Sequence, residues 1–397
     1  MEAEVVSRRA AIAGGGVFAL TAAAALGYRA WDRGVGSAGE GPAFLPWREW
    51  QGAPADGPLR PLRAAILAAN PHDSQPWAFA VRADEMEVYA DRARNLGAFD
   101  PFRREMHLGL GAAIENLSLA ARAFGSNAVV TPTEGRLAPN PGEAPFLAAR
   151  IALAPAPSAR GALIEAIPTR HTNRGPYRSD QAVASRDLGR FAALAASVDT
   201  RVVFVADPAA RRDLGAIIVA ATERIVGDEE MSADSARWIR GGAREIEAHR
   251  DGVTLDAAGL SPSMTTLAKL MPDMGAATND RYWLAMTRDT QIPTAPTLGL
   301  LFVRDRLEMA QAIAAGRAWQ RLHLAITAAG YAAQPLNQPV ERADRDEALG
   351  RGGDSARALA KFADEPGWEA TFVFRLGVAE REAPPSPRRA LEAVLRS

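Results

Sequence analysis

The sequence of 397 residues contains no cysteine. Disulfide frameworks, thiolate metal sites and cysteine nucleophiles are therefore excluded together. Charge of one sign is not in surplus either, because the formal net charge is −1, and nothing in it predicts nucleic acid or an anionic surface as a partner. The hydrophobic share of 48% and charged share of 23% are ordinary for a folded globular protein of more than one domain length.

The N-terminus carries a pattern that is typical of export signals. Ser7, Arg8 and Arg9 precede an uncharged stretch at 10–27 that is rich in alanine and glycine. A pair of arginines before a mildly apolar run predicts a twin-arginine signal, here assigned to residues 1–33. The stretch would span about 27 Å as a helix, enough to cross a hydrocarbon core, although its small side chains make a weak anchor. An ordinary basic-then-apolar helix is the alternative.

This signal predicts a periplasmic protein, or one tethered to the membrane by its N-terminal segment, delivered by the twin-arginine export machinery. A cytoplasmic location stays open as the alternative. Residues 34–57 are rich in glycine, proline and alanine and are predicted to be a linker to the folded body.

From residue 58 onward, helical and strand-like patterns alternate, which predicts an α+β fold. A long apolar helix is expected at 103–124, ended by Gly125, and a second one ends near Gly330. A C-terminal helix is expected from about Arg389. The strand predictions lie at 77–81, 86–89, 128–131, 146–153, 201–205, 299–303 and 372–376.

The two long helices are similar in sequence. With Gly111 set against Gly316, the leucine spacing and the terminal glycines, Gly125 and Gly330, also coincide. A repeat of this length predicts a duplicated domain. We assign the halves to 58–160 and 161–397, and expect the small alanine and glycine faces to let the two helices approach closely.

Four segments combine polar side chains with proline or glycine, and they span 70–77, 169–177, 334–338 and 387–389. In the second of them, Arg170 and Arg174 present planar donors suited to phosphate, and Thr172 adds a hydroxyl. Arg388 and Arg389 supply further positive charge. Clustered arginines are also common on solvated surfaces, so the residues alone leave both interpretations open.

Taken together, these segments resemble the FMN-dependent nitroreductase superfamily, and most closely its Acg family of FMN-binding oxidoreductases. The resemblance covers about residues 58–397 and implies a nitroreductase-like α/β sandwich with FMN as cofactor. It implies that the phosphate is held by Arg170, Thr172 and Arg174, with His171 nearby, and is closed on by Arg388 and Arg389. It further implies that the flavin lies against Asn70, Pro71, His72, Ser74 and Gln75, and that Gln334, Pro335, Leu336 and Asn337 pass its N5 edge.

The two halves divide these motifs between them. The first half holds Gln75-Pro76-Trp77 without an Arg-x-Thr motif before it, whereas the second holds Arg170 and Thr172 without a matching Gln-Pro-Trp. The resemblance therefore implies one chain that mimics the family's dimer, a monomer or pseudo-dimer with one flavin site. An irregular apolar segment at 251–288 could cover the ring as a lid or be an ordinary packed insertion.

No metal site is expected, because His107, His249 and His323 have no ligand partners at metal spacing. The resemblance implies electron transfer through flavin N5, assisted by a backbone N–H near Leu336 or Asn337, without a catalytic side chain. The acceptor would be a nitroaromatic, quinone or similar small molecule, and NAD(P)H is the usual donor in the family, although it is scarce outside the cytoplasm. A non-catalytic protein that binds or sequesters FMN is the alternative.

Overall fold

The structure is a computed structural model that describes residues 23–82, 85–272 and 275–396. Most of the predicted export signal, at 1–22, lies outside the described residues. Residues 23–32 are helical, and this segment is called the N-terminal helix. Within the described ranges, no helix combines the length and apolar character needed to cross a bilayer.

The first sheet has five strands, with β1 (Trp77–Val81), β2 (Glu85–Ala90), β4 (Phe146–Pro155) and β3 (Ser126–Pro132) side by side in that order. All three of these pairings are antiparallel. The fifth strand, β11 (Leu395–Arg396), lies parallel to β1 at the edge, with Phe79 opposite Leu395.

The second sheet repeats this arrangement. Its order is β5 (Arg201–Val205), β8 (Thr297–Val303), β10 (Glu369–Gly377) and β9 (Ala332–Pro335), again with antiparallel neighbours. Apart from β11, each sheet has four strands, which lie side by side in the order first, second, fourth, third when numbered along the chain. In each sheet a long helix joins the second strand to the third. This shared topology supports the duplication, while the exact boundaries of the halves stay a prediction.

The two long helices pack against each other at the centre, as their small faces predict. They are α3 (Arg104–Ala123) and α11 (Met309–Ala328). A methyl group added at Gly316 would lie 2.0 Å from the carbonyl oxygen of Leu108, and one at Gly111 would lie 2.2 Å from that of Ile313. The helix backbones therefore touch, and glycine is required at the crossing. Gly125 and Gly330 follow the two helices with positive φ, as expected for glycine after a helix end.

The remaining helices surround this centre. They are α1 (Leu45–Glu49), α2 (Arg60–Ala65), α4 (Ala162–Glu165), α5 (Ser185–Ala195), α6 (Pro208–Val226), α7 (Glu229–Ala236), α8 (Ala243–His249), α9 (Pro262–Leu270), α10 (Ala276–Met286), α12 (Gln338–Ala348) and α13 (Asp354–Ala360). Two short parallel strands, β6 (Ile239–Arg240) and β7 (Val253–Thr254), form a separate ribbon.

The chain crosses between the halves in both directions. After the first sheet, Thr172 pairs with Ala333 of β9 in the second sheet. After the second sheet, the C-terminal segment returns to the first and adds β11. Each half is therefore completed by residues that follow the other sheet, an exchange like that between subunits of a dimer.

The predicted linker is folded, so the expectation of a tether at 34–57 is wrong. Phe44, Trp47 and Trp50 are at most 6% exposed and belong to the core of the first half. A 3-10 turn (Pro42–Phe44) runs directly into α1. The alanine, glycine and proline content suggested a tether, but three large aromatic side chains bury enough apolar surface to fix this segment.

The expected C-terminal helix is also corrected. The segment around Arg389 is irregular, and it is followed by a 3-10 turn (Leu391–Val394) and then β11. Because Leu391 and Val394 pack into the first core, tertiary contacts and strand pairing set the conformation there.

Candidate functional site: a buried arginine pair between the halves

Arg170 and Arg388 meet below the C-terminal end of α2. Arg170 Nη2 donates to the carbonyl oxygen of Leu67 at 3.1 Å, and Arg388 Nη2 donates to that of Ala68 at 3.3 Å. These carbonyl groups follow the helix, where backbone acceptors are left without intrahelical partners. Each guanidinium is 2% exposed. The structure thus joins one arginine that follows the first sheet to another from the far end of the chain.

The pair carries more positive charge than its surroundings balance. The pKa of Arg170 falls to about 9, mainly because the side chain is buried and also because the Arg388 charge is close. Asp73 opposes this shift. Burial also lowers the pKa of Arg388, although Asp73 opposes this. The Nε atoms of both arginines are buried and lack a hydrogen-bond partner among the described residues. A buried anion between them would supply both the missing charge and the missing acceptors.

Asp73 is the carboxylate at this pair, and it is a weak counter-ion. One oxygen accepts a hydrogen bond from Arg388 Nη1, while Oδ2 has no partner within the described chain. Burial raises the pKa of Asp73 to about 7, against the lowering effect of Arg388 and Asn70. The carboxyl group is therefore only partly ionised at neutral pH. It cannot fully neutralise two guanidinium groups.

The loop that bears Asp73 is strained and held from several sides. His72, Asp73 and Gln75 all have φ near +50°, a left-handed conformation that non-glycine residues seldom adopt. The side-chain oxygen of Asn70 accepts from the Gln75 N–H at 2.7 Å and fixes the turn. Strain of this kind persists only where surrounding contacts impose it, and it is frequent in ligand-binding loops.

Gln75 connects this loop to the C-terminal segment. Its Oε1 accepts from the Arg389 N–H at 2.8 Å, and its Nε2 donates to the Pro387 carbonyl at 3.3 Å and to the Arg250 carbonyl at 2.8 Å. The side chain is fully buried. The buried Ser74 hydroxyl beside it has no partner among the described residues. The loop, the C-terminal arginines and the segment after α8 therefore form one unit.

Trp47, from the predicted linker, covers the arginine pair. Its ring lies 4.7 Å from the Arg388 guanidinium carbon and 6.0 Å from that of Arg170. The His171 ring meets it edge-on at 4.6 Å. The Trp47 indole N–H donates to the carbonyl oxygen of Ser386 at 2.8 Å, which fixes the ring in place. The cations are thus closed off from solvent on this side by an aromatic face.

Two histidines adjoin the pair and are held neutral. Burial, followed by the charges of Arg170 and Arg388, lowers the pKa of His171 to about 3. His323 lies on α11 with Nδ1 3.4 Å from Arg170 Nη1, and burial together with Arg170 lowers its pKa well below the ordinary value. His72 is separate, with Nε2 3.0 Å from the Ser235 hydroxyl, and burial lowers its pKa to about 4.

The start of the predicted lid packs on both flavin motifs. The Gly252 N–H donates to the Asp73 carbonyl at 3.1 Å. Arg174 Nη1 donates to the Ala257 carbonyl at 3.2 Å, and Gly259 approaches the Arg174 backbone so closely that a methyl group there would lie 2.5 Å from it. Arg174 therefore hydrogen-bonds toward residue 257, and among the described residues no hydrogen bond joins it to Arg170 or Arg388. It still lies near the loop, because Asp73 raises the pKa of Arg174 against the larger effect of burial, and Arg174 helps to lower the pKa of His72.

The segment expected at the flavin N5 edge serves the second sheet, which corrects the prediction for Leu336. Its N–H donates to the Val373 carbonyl at 2.8 Å. The Asn337 side chain donates to Glu105 and accepts from the Val373 N–H at 3.0 Å, while Gln334 Oε1 accepts from Arg375 Nε at 2.7 Å. The structure pairs Thr172 with Ala333, directly before this segment, whereas the resemblance gave no information on where the amide groups point.

A buried carboxyl cluster lies behind Asn337. Burial raises the pKa of Glu105 to about 7, and burial together with Glu105 raises that of Glu341 well above its usual range. The Arg104 charge opposes both shifts, with its Nη2 3.5 Å from a Glu105 oxygen, and Arg104 also binds Asp344 at 2.6 Å. The cluster joins the start of α3 to α12, and thus one half to the other. Among the described residues, no group of side chains is suited to hold a metal ion.

Of the predicted site residues, the structure brings together Asn70, Ser74, Gln75, Arg170, His171, Arg388 and Arg389. Arg174, Pro335, Leu336 and Asn337 lie at the margin and bind other parts of the fold. The sequence interpretation missed Trp47, Asp73 and His323. Asp73 lies within the polar segment 70–77 identified in the sequence, although it was not among the predicted site residues. The aromatic spacing of Phe44, Trp47 and Trp50 was the available signal for the cover.

The donor set fits the phosphate group of FMN. The two buried guanidinium groups carry more positive charge than Asp73 balances, and their Nε atoms have no hydrogen-bond partner among the described residues. Two surface cavities, of about 240 and 460 Å³, lie elsewhere, one beside Trp368 and the other beside Trp50. The arginine pair is instead covered by Trp47, and residues 250–252 contact the neighbouring loop at Gln75 and Asp73. The fold thus defines a buried arginine pair of the second half set against backbone carbonyl groups of the first half.

The chain is similar to a curated protein of Mycobacterium tuberculosis, strains CDC 1551 and H37Rv, described as a "Putative NAD(P)H nitroreductase". The identity is 28% over 348 residues, covering 84% of this chain and 89% of the relative. This similarity supports the nitroreductase superfamily. No family model matches the chain.

Solved structures were also compared with the chain. A nitroreductase with bound FMN from Desulfitobacterium hafniense DCB-2 is 15% identical, with a TM-score of 0.34, covering 58% of this chain and 96% of that one. The FMN-dependent nitroreductase NfnB of Mycobacterium smegmatis, in complex with NADPH, is 21% identical, with a TM-score of 0.35, covering 59% and 97%.

Proposed function

We propose that the protein is an FMN-dependent oxidoreductase of the nitroreductase type. The observation that carries the proposal is the buried Arg170–Arg388 pair, which lacks a full counter-charge and binds backbone carbonyl groups of the other half of the chain. The mycobacterial relative, described as an NAD(P)H nitroreductase, supports the same activity.

In this proposal, Arg170 and Arg388 hold the cofactor phosphate through charge-assisted hydrogen bonds. His171 and His323 are neutral, so each can supply one ring N–H without adding charge. Asp73 takes up a proton when a phosphate dianion enters, because a second negative charge raises its pKa further. The strained loop at 70–75 then lies at the flavin.

When bound, FMN supplies the two-electron chemistry that protein side chains lack. The chain contributes orientation and exclusion of water. Trp47 shields the arginines, and shielding from water strengthens their attraction for the phosphate. NAD(P)H is the proposed electron donor and a nitroaromatic, quinone or similar planar molecule the proposed acceptor.

A second function, storage or sequestration of FMN without turnover, is favoured by one specific observation. Contacts of Gln75 with Arg250 and of Asp73 with Gly252 close the 250–257 segment on the loop. Loading a flavin requires these contacts to open. Should they re-form over the bound ring, a second substrate would have no access.

We also propose that residues 1–33 act as a twin-arginine signal, which would place the protein in the periplasm or tether it to the membrane. Arg8 and Arg9 before the apolar stretch support this. Export of a folded protein suits a cofactor that is inserted before transport.

The test is the visible absorption spectrum of the purified protein, recorded anaerobically while NADPH and then dithionite are added. Bound flavin that bleaches with NADPH supports the oxidoreductase. Bound flavin that yields only to dithionite supports storage. A colourless protein that cannot be reconstituted with FMN contradicts both proposals.

A further inference from the structure

An apolar surface lies where the N-terminal helix meets α9. Ten large hydrophobic side chains are clearly exposed among the described residues, and six of them lie in these two elements. In the N-terminal helix they are Leu26, Tyr28 and Trp31, and in or just after α9 they are Met264, Leu267 and Met271; each is between 50% and 70% exposed. Exposed apolar groups are common singly, but such clustering marks an interaction surface. We call these six residues the apolar corner.

The two elements are fixed to each other. Arg29 Nε donates to the Leu270 carbonyl at 2.7 Å, and Arg29 also donates to the Met271 carbonyl. Lys269 Nζ donates to the Gly34 carbonyl at 2.8 Å and pairs with Asp256 at 2.7 Å. The end of the N-terminal helix is therefore docked on the body, with α9 bound at Arg29, while Arg244 of α8 lies 5.7 Å from the ring centres of Tyr28 and Trp31. The apolar side chains of the two elements thus lie on neighbouring parts of one docked assembly.

The residue types and spacing match a lipid interface. Met264, Leu267 and Met271 are separated by three and four positions, so they share one helical face. Tyr28 and Trp31 are three positions apart, with ring centroids 5.8 Å apart. Tyrosine and tryptophan are the residues enriched at the boundary between headgroups and acyl chains. A short apolar helix face beside them is suited to lie in the same plane.

Charge and chain direction also favour lipid over a protein partner. Arg29, Arg33 and the exposed Arg244 lie at this surface against one acidic residue, Asp32, whereas Lys269 is buried and paired with Asp256. This local excess of positive charge attracts anionic headgroups. The apolar stretch at 10–27 leads directly into this surface. If any part of that stretch enters a bilayer, the apolar corner is brought to the surface of the bilayer.

We propose that the apolar corner is a membrane-docking surface that rests on anionic lipid, with Leu267, Met271 and Trp31 inserted among the headgroups. This surface is distinct from the flavin site and independent of the proposed enzymatic activity. The docked helix would hold the body in a fixed orientation, so that the protein would not hang from a flexible tether.

The absence of cysteine allows a direct test, because a single introduced cysteine can be labelled uniquely. The full chain carrying Leu267→Cys would be labelled with an environment-sensitive fluorophore and mixed with vesicles of equal parts phosphatidylcholine and phosphatidylglycerol. We expect a blue shift and an intensity increase of about threefold, as for transfer of a probe from water to an apolar medium. The matched control is Val198→Cys, an exposed apolar position (85% exposed) outside the apolar corner, whose label should not respond.

A second variant separates this surface from simple anchoring by residues 10–27. Adding Met264→Ser and Met271→Ser to the labelled chain should weaken vesicle binding at position 267 about tenfold or more, given the apolar area removed. No response of the 267 label with vesicles overturns the proposal. A response that appears without lipid and grows with protein concentration also overturns it, since it would identify a second copy of the chain as the occupant.

Discussion

The crossing of α3 and α11 predicts that Gly316→Ala lowers the free energy of unfolding, because backbone atoms of α3 occupy the place of the added methyl group. Gly316→Ala places a methyl group 2.0 Å from the Leu108 carbonyl oxygen and 2.8 Å from the Leu108 Cα. Both obstacles are backbone atoms, so no side-chain rotation relieves the contact. The helices must separate by about 1 Å to bring the closest contact to 3.0 Å, below which real contacts essentially never fall.

Forced separation of a packed core typically costs about 1–3 kcal/mol. Alanine recovers roughly 1 kcal/mol, because glycine is the poorer helix former. Since the obstruction is rigid, we take the upper end of the cost and expect a net loss of about 2 kcal/mol. Gly189→Ala is the matched control. It also lies within a helix, is exposed, and has no atom within 4 Å of the added methyl group, so it should stabilise by about 0.5–1 kcal/mol.

The assay is urea unfolding followed by circular dichroism, with the midpoint compared at unchanged m-value. We expect the two alanine substitutions to move the midpoint in opposite directions. Gly111→Ala should behave like Gly316→Ala, because its methyl group would meet the Ile313 carbonyl at 2.2 Å. If Gly316→Ala is as stable as the parent or more so, the close approach of the helices is wrong.

Three further predictions concern the arginine pair. Burial raises the pKa of Asp73 in the folded protein to about 7, above its ordinary 3.8, so the free energy of unfolding should fall by roughly 4 kcal/mol as the pH rises from about 4 to 7. The stability of Asp73→Asn relative to the parent should therefore increase across that pH range in urea titrations. A difference between the two proteins that stays constant with pH would refute this. Arg170→Met should weaken FMN binding about 10- to 100-fold in fluorescence titrations, whereas the exposed Arg186→Met should not, and equal effects would contradict the site. Trp47→Ala should speed FMN release measured by stopped flow. Trp50→Ala is the control, because Trp50 lies in the same core and no contact with the two arginines is seen for it among the described residues. It should destabilise the fold and leave the rate of FMN release unchanged.

The sequence predicted the central helices well, because the evidence for them was local and repeated. Gly111 and Gly316 occupy equivalent positions in similar helices, and glycines at the helix ends recur with positive φ. A face of small residues has few uses other than close packing. The α+β class and the approximate strand positions followed from periodicity for the same reason.

The site was predicted only in part. The resemblance named Arg170 and Arg388 although 218 positions separate them, and the structure places both at the end of α2. It could not show that the Leu336 N–H pairs within a sheet, because amide direction depends on strand register. Trp47 was missed because the composition of 34–57 suggested a tether, whereas burial of a few aromatic side chains decided the outcome.

The pairing of β11 with β1 governs when the first half can finish folding. Leu395 and Arg396 lie opposite Phe79 and Ala80, so the edge of a sheet that begins at Trp77 is completed by residues translated more than 300 positions later. Until then the edge of β1 is open, and open edges are prone to wrong pairing. Gln75 likewise gains its Arg389 partner only at that stage. The arginine pair therefore cannot assemble, and the first sheet cannot gain its fifth strand, before residues 386–396 have been synthesised.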